Sequence, residues 1–184
     1  HLYRLAADGS TAPTPLTSGR FTVHSFDAAA GTLATTRSTI DHTPELFVAD
    51  AQRTSVGAKL AADLLPWEKF AVPTTDGSND IDAWIMRPAD FDESKTYPVL
   101  LNVHGGPFTQ YGDYFFDEAQ MQAAAGFVVV LGNPRGGSGR EEAWGQAVLG
   151  PKHPVRAGSG WGALDVEDVL AIIDGALERY PFCD

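Results

Sequence analysis

The chain has 184 residues, 43% of them hydrophobic and including ten Phe and four Trp, so it carries enough apolar material for a core and is long enough for one ordinary domain or two partial ones. Its 24 acidic residues against 13 basic ones give a formal net charge of −11, which argues against a nucleic-acid partner, since phosphate binding needs clustered Lys and Arg; a peptide or small-molecule substrate is expected instead. One cysteine, Cys183, excludes an internal disulfide and gives no basis for a thiolate metal site, in keeping with a reducing, cytoplasmic setting, and apolar runs such as residues 126–131 are far shorter than the roughly 20 residues needed to cross a bilayer.

The chain opens at His1 directly in strand-like sequence, without Met or a charged-then-apolar leader, so its natural start is expected upstream. From residue 2 to about residue 62, short β-like runs (2–5, 21–26, 32–36 and 45–48) alternate with turn residues such as Asp8-Gly9-Ser10 and the stretch 27–31. This texture predicts antiparallel hairpins. Four short strands per unit fit the closing part of a β-propeller, and they fit any small β-meander equally well.

After Leu64-Leu65-Pro66 the pattern changes, and the chain is read as two parts, residues 1–64 and 65–184. Residues 67–72 and 81–87, separated by Thr74-Thr75-Asp76-Gly77-Ser78-Asn79, predict a hairpin. Residues 97–103 form a continuous apolar strand ending in His104-Gly105-Gly106-Pro107; residues 116–125 carry helix formers up to Gly126; residues 127–131 form a second apolar strand ending in Asn133-Pro134-Arg135-Gly136-Gly137-Ser138-Gly139. Strand, helix, strand predicts a βαβ crossover, and unbroken apolar strands predict burial on both faces of a parallel sheet, hence an α/β fold. The last long helix is predicted over residues 162–180, with Leu164, Val169, Ile172, Ile173, Ala176, Leu177 and Tyr180 at helical spacing and Pro181 closing it. Asp165, Glu167 and Asp168 fall in its first turns, where the helix dipole favours negative charge, and Phe182-Cys183-Asp184 begin a further strand.

His104-Gly105-Gly106-Pro107 carries the most chemistry. At the carboxyl end of a buried strand, glycines let the backbone approach a substrate carbonyl and present an N–H to its developing oxyanion; the same residues could also serve only as a tight turn.

Taken together, the run Tyr97-Pro98-Val99-Leu100-Leu101-Asn102-Val103-His104-Gly105-Gly106-Pro107, the loop Asn133 to Gly139 and Gly160-Trp161-Gly162 with Asp165 and Asp168 resemble the acylaminoacyl-peptidase and dipeptidyl-peptidase branch of the prolyl oligopeptidase family of serine peptidases. The resemblance implies the N-terminal half of an α/β-hydrolase domain, preceded by the closing strands of a β-propeller, in a peptidase that cleaves short peptides by acyl transfer without a cofactor. It implies that the Gly106 N–H is an oxyanion donor. His104 stands where some relatives place an oxyanion tyrosine, so it is a candidate second donor or a residue that orders the loop. A plain esterase on the same fold and a non-catalytic interaction fragment are the rival readings.

A serine nucleophile in such a fold stands on a G-x-S-x-G elbow, followed in chain order by an acid and then a histidine. No such pentapeptide occurs: Ser138 lacks the final glycine and Ser159 the first, and both are read as loop serines. In the family the elbow follows the strand expected to begin after Asp184, so the triad serine, acid and histidine are expected beyond it, and none of the five histidines present is a candidate base. Arg135, Glu141 and Glu142 are candidates to face a substrate cleft, although charges on a loop after a strand are more often solvated; residues 150–158 are read as a surface insertion, and Asp76, Asp80 and Asp82 as parts of a hairpin turn. The strand order implied by the family leaves residues 99–103 as an exposed sheet edge, to be covered by the remainder of the hydrolase domain or by a second copy.

Overall fold

The computed structural model describes residues 1–61 and 63–184; residue 62, where the β-textured stretch was expected to close, lies outside the described residues. The elements run β1 (Tyr3–Arg4), β2 (Thr14–Pro15), β3 (Thr22–Ala29), β4 (Thr32–Thr39), β5 (His42–Val48), β6 (Ala51–Gln52), α1 (Ala58–Ala61), β7 (Trp67–Pro73), β8 (Asp80–Met86), β9 (Val99–Asn102), α2 (Asp117–Ala124), β10 (Val128–Gly132), α3 (Glu142–Gln146) and α4 (Leu164–Arg179). They form two compact units, one of His1–Leu64 with Gly112–Phe116 and one of Leu65–Tyr111 with Asp117–Asp184.

In the first unit β3, β4, β5 and β6 form an antiparallel sheet in chain order. The β3–β4 connection is the two-residue loop Ala30-Gly31, with φ of 48° and 78°, the pair of positive values that matches the right-handed twist of a hairpin. The middle of β4 is buried but polar: Thr35, Arg37 and Ser38 are each at most 9% exposed. The Arg37 guanidinium lies 4.6 and 5.0 Å from the ring centres of Phe21 and Phe47 and donates to Thr35 Oγ1 and Asp50 Oδ1, each at 2.6 Å. The segment Gly112–Phe116 packs with this unit through Arg20–Asp113 (3.2 Å) and a Phe115 N–H to Ser38 Oγ hydrogen bond (3.3 Å).

The second unit is a mixed sheet in the order β7-β8-β10-β9, in which β10 runs antiparallel to β8 and parallel to β9. The parallel pairing is the predicted crossover, with α2 between the two strands. All four residues from Val128 to Leu131 are 0% exposed. Val128 and Val130 join Phe70, Ile81, Ile85 and Ile172 in one core, while the alternating Val129 and Leu131 face the side where α2 packs through its buried Ala119 and Ala123. Each such aliphatic side chain contributes about 1.5–3 kcal/mol on burial. Close approach of α4 needs Gly132: a Cβ there would stand 2.4 Å from Ile172 Cδ1.

The long helix is confirmed as α4, and Asp165 in its first turn ties down the approach to it, its Oδ1 accepting from the N–H of Gly162 (2.9 Å) and Ala163 (2.8 Å). Several elements were not expected, among them α1 and the two-residue strands β2 and β6. The short helix α3 begins at Glu142 in a stretch read as loop, and it buries Trp144, which is 2% exposed and donates its Nε1–H to Pro134 O at 3.1 Å.

On the outer side of β9 a further strand has begun. Tyr97 and Cys183 form a parallel bridge, with Tyr97 N–H to Phe182 O at 2.8 Å, Asp184 N–H to Tyr97 O at 2.9 Å and Val99 N–H to Asp184 O at 3.3 Å. Among the described residues no helix is long and apolar enough to cross a membrane.

Burial in this position pushes the Cys183 thiol up to about 11. Because the folded state resists ionising it, the fold loses stability as pH rises through about 9 towards 11. At pH 8 the thiolate fraction falls on the order of 100-fold, and the greater nucleophilicity of a more basic thiolate restores about tenfold. Iodoacetamide is therefore expected to label native Cys183 about ten times more slowly than the urea-unfolded chain, a gap that narrows at higher pH; equal rates at pH 8 would show that residues 182–184 do not dock on β9.

Candidate functional site

Since β9 and β10 are parallel, both release their chains at the same edge of the sheet, where α/β sheets form their binding crevices. The loop after β9 begins with His104-Gly105-Gly106-Pro107. Gly106 has φ of 130°, and a Cβ there would stand 2.8 Å from the backbone nitrogen of Phe108, so only glycine fits this turn. Among the described residues the Gly106 N–H makes no hydrogen bond. It lines a cavity of about 260 Å³ together with Val103, Gly105, Pro134, Trp161 and Val169.

His104 turns back on its own loop. Its Nδ1 lies 3.0 Å from Gly105 O, a contact in which the carbonyl must accept, and its ring meets Tyr111 edge-on with centres 5.4 Å apart. With the proton on Nδ1, a neutral imidazole has only a lone pair on Nε2, which is buried without a hydrogen-bond partner. Donation from Nε2 would require the imidazolium or the other tautomer.

The loop after β10 grips the first one. The Asn133 side chain accepts the Tyr111 N–H (2.8 Å) and donates to the Tyr111 carbonyl (2.9 Å), and the Ser138 N–H donates to Thr109 O (2.9 Å). Arg135, whose place on a loop after a strand favours a solvated charge, is instead 6% exposed. Its Nε and Nη2 donate to the two oxygens of Asp168 at 2.8 and 2.6 Å, its backbone N–H to Asp168 Oδ2 at 2.9 Å, and its Nη1 to Asp76 Oδ2 at 2.7 Å. Asp168 stands in the first turns of α4 as expected, but it is 0% exposed and acts there as a buried counter-ion. The cause is geometric: the loop folds over the first turn of α4, and the fork of the guanidinium matches a carboxylate. Asp76 belongs to the hairpin turn as expected, and the hydroxyls of Thr74 and Ser78, the Ser78 N–H and Arg135 together hold its carboxyl well below the usual range.

The remaining candidates are not brought to this crevice as a nucleophile and base. The Ser138 hydroxyl meets Gln110 at 3.4 Å, and that of Ser159 donates to Ala147 O at 3.0 Å. His24 Nε2 does lie 2.6 Å from Ser38 Oγ, but that serine is 1% exposed, so the pair has no access to substrate.

No protein-family model matches the chain. It is 38% identical over 117 residues to an uncharacterized peptidase, YuxL, of Bacillus subtilis, a match that covers 64% of this chain and 16% of that protein. A probable dipeptidyl-peptidase 5 of Emericella nidulans is 27% identical over 190 residues, covering 97% of this chain and 25% of the relative. A crystal form of acylaminoacyl peptidase from Pyrococcus horikoshii superposes with a TM-score of 0.81 at 27% identity, over 95% of this chain and 27% of that one. The chain is related to the peptidases of the prolyl oligopeptidase family. It spans about a quarter or less of the length of these prolyl oligopeptidase relatives.

In this prolyl oligopeptidase relative the two loops stand or fall with the Arg135–Asp168 pair. Removing one partner of a buried ion pair leaves the other charge uncompensated, so Asp168→Ala is expected to lower stability by about 3–5 kcal/mol in urea unfolding. Asp76, half exposed, is expected to matter less in Asp76→Asn. Its depressed carboxyl adds stability that is present above the ordinary value of 3.8 and lost as pH falls below it, so the urea-unfolding midpoint of Asp76→Asn should depend less steeply on pH in that window than that of the wild type. Wild-type stability in Asp168→Ala would contradict the clamp.

Proposed function

We propose that residues 65–184 are the first half of the α/β-hydrolase domain of a serine peptidase, that residues 1–64 are closing strands of its β-propeller, and that the loop at 104–107 binds the oxyanion of acyl transfer. One observation carries this reading: among the described residues the Gly106 N–H has no hydrogen-bond partner, and Gly106 lines a cavity at the carboxyl end of the parallel strand β9. The peptidase relatives and the acylaminoacyl peptidase fold support the same class of reaction. The substrates are short peptides.

In the proposed reaction a serine supplied by the continuation of the chain attacks the scissile carbonyl. The Gly106 N–H donates to the oxygen as it becomes negative, the amine leaves, and water releases the acyl group. The preformed turn makes this donor available without reorganisation at the moment of reaction. His104 acts by ordering the loop, because its Nδ1–H is committed to Gly105 O. The continuation pairs along the outer side of β9, in line with the bridge that Tyr97 and Cys183 already make.

Two experiments test the proposal. The 184-residue chain has no G-x-S-x-G elbow, so a fluorophosphonate probe should leave it unlabelled; stoichiometric labelling at Ser138 or Ser159 would show the nucleophile to be elsewhere than proposed. In the full-length peptidase, Gly106→Val is expected to lower turnover by about 10²–10³, the cost of losing one oxyanion donor. Unchanged turnover in a folded variant would reduce the loop to a structural turn.

A further inference from the structure

An oxyanion donor is useful only if it is held still, and the loop that carries Gly106 has little to hold it from within. The residue after β9, Val103, is 53% exposed, as is Phe108 at 63%. The internal bonds of the turn are short-range, such as Thr109 N–H to Pro107 O at 2.7 Å. Its fixed points lie at its far end, where Asn133 closes a two-point bond on the backbone of Tyr111. Asn133 is itself well placed to act as an anchor: it is 8% exposed, follows β10 directly, and its own N–H donates to Asp82 O on β8 at 2.9 Å. Tyr111, 7% exposed, passes the constraint on through its ring to His104, two residues before Gly106.

We infer that Asn133 is a positioning residue for the oxyanion loop, fixing Gly106 through the backbone of Tyr111 and the ring of His104. The inference rests on the oxyanion reading of Gly106. The side chain has one acceptor and two donors, and it spends one of each on a single residue, which sets both the height and the rotation of the Tyr111 peptide groups. Aspartate at the same place would keep the bond to the Tyr111 N–H and turn an oxygen towards the Tyr111 carbonyl. Alanine would remove both bonds. Neither change touches the cavity surface at Gly106.

The test uses the full-length peptidase with Asn133→Asp, Asn133→Ala and Gly106→Val compared side by side. A positioning role predicts a graded loss of kcat, about tenfold for Asn133→Asp and up to about 10²-fold for Asn133→Ala, with KM within about twofold of wild type, as expected when geometry at the reacting atoms is spoiled but ground-state binding is not. The affinity for a peptidyl trifluoromethyl ketone, which forms a hemiketal oxyanion, should fall in parallel with kcat/KM, whereas that for a product peptide should not change. A purely structural role would instead lower the fraction of active enzyme, leaving the kcat of the folded fraction and the inhibitor affinity unchanged. Should Asn133→Ala fail to fold, Asn133→Asp decides the matter alone. Wild-type kcat in a folded Asn133 variant, with turnover lost in Gly106→Val, would overturn the role of Asn133 while leaving the oxyanion loop intact; wild-type turnover in Gly106→Val would overturn both.

Discussion

Where two parallel strands end side by side, the backbone groups that leave the ladder must find other partners, and the loops they enter have no ladder to fix them. In this chain that constraint is met by a buried ion pair. Arg135 leaves the end of β10 and is bound on three sides of its guanidinium and backbone by Asp168 and Asp76, which belong to α4 and to the β7–β8 turn. A fully buried carboxylate without that partner would be strongly destabilising, so the pair decides where the loop after β10 runs. From there the chain of contacts continues through Asn133 and Ser138 to Tyr111 and Thr109, and so to the turn at Gly106.

The same arrangement explains how the glycine-rich turn can be held still. Gly106 occupies a backbone region that other residues rarely adopt, with Phe108 N at the place a side chain would need. Glycine adopts this conformation without strain but has wide backbone freedom, so the turn must be fixed by its surroundings. The grip from the neighbouring loop supplies that constraint, and the sheet beneath, with its fully buried β10, supplies a rigid base. The chemistry proposed for the site thus depends on residues of which only Gly106 would touch the substrate.

Much of this was legible in the sequence because it is periodic or local. Five successive apolar positions announce β10, the i, i+4 recurrence of Asp168, Ile172 and Ala176 falls within the helix predicted for α4, and the placement of His104 to Pro107 after an apolar run fixes where the turn stands. What was not legible is non-local. Arg135 and Asp168 lie 33 residues apart in the chain, and nothing in the pattern around a charged loop residue distinguishes a solvated arginine from one that finds a buried carboxylate. Trp144 gave the one missed signal, since a tryptophan in an otherwise polar loop needs somewhere to bury its ring, and α3 provides it. The buried polar centre of β4 is non-local in the same way: Thr35, Arg37 and Ser38 are buried where Phe21, Phe47 and Asp50 are brought around Arg37.

The central claim is that the free N–H of Gly106 is an oxyanion donor, and the most direct measurement watches that proton. In the full-length protein labelled with ¹⁵N-glycine, the Gly106 amide resonance should be assigned by its loss in Gly106→Val and followed as a peptidyl trifluoromethyl ketone is added. A donor forming a charge-assisted hydrogen bond predicts a downfield shift of the Gly106 amide proton on hemiketal formation and slower exchange with solvent. An unmoved, fast-exchanging Gly106 amide in the fully inhibited enzyme would contradict the account.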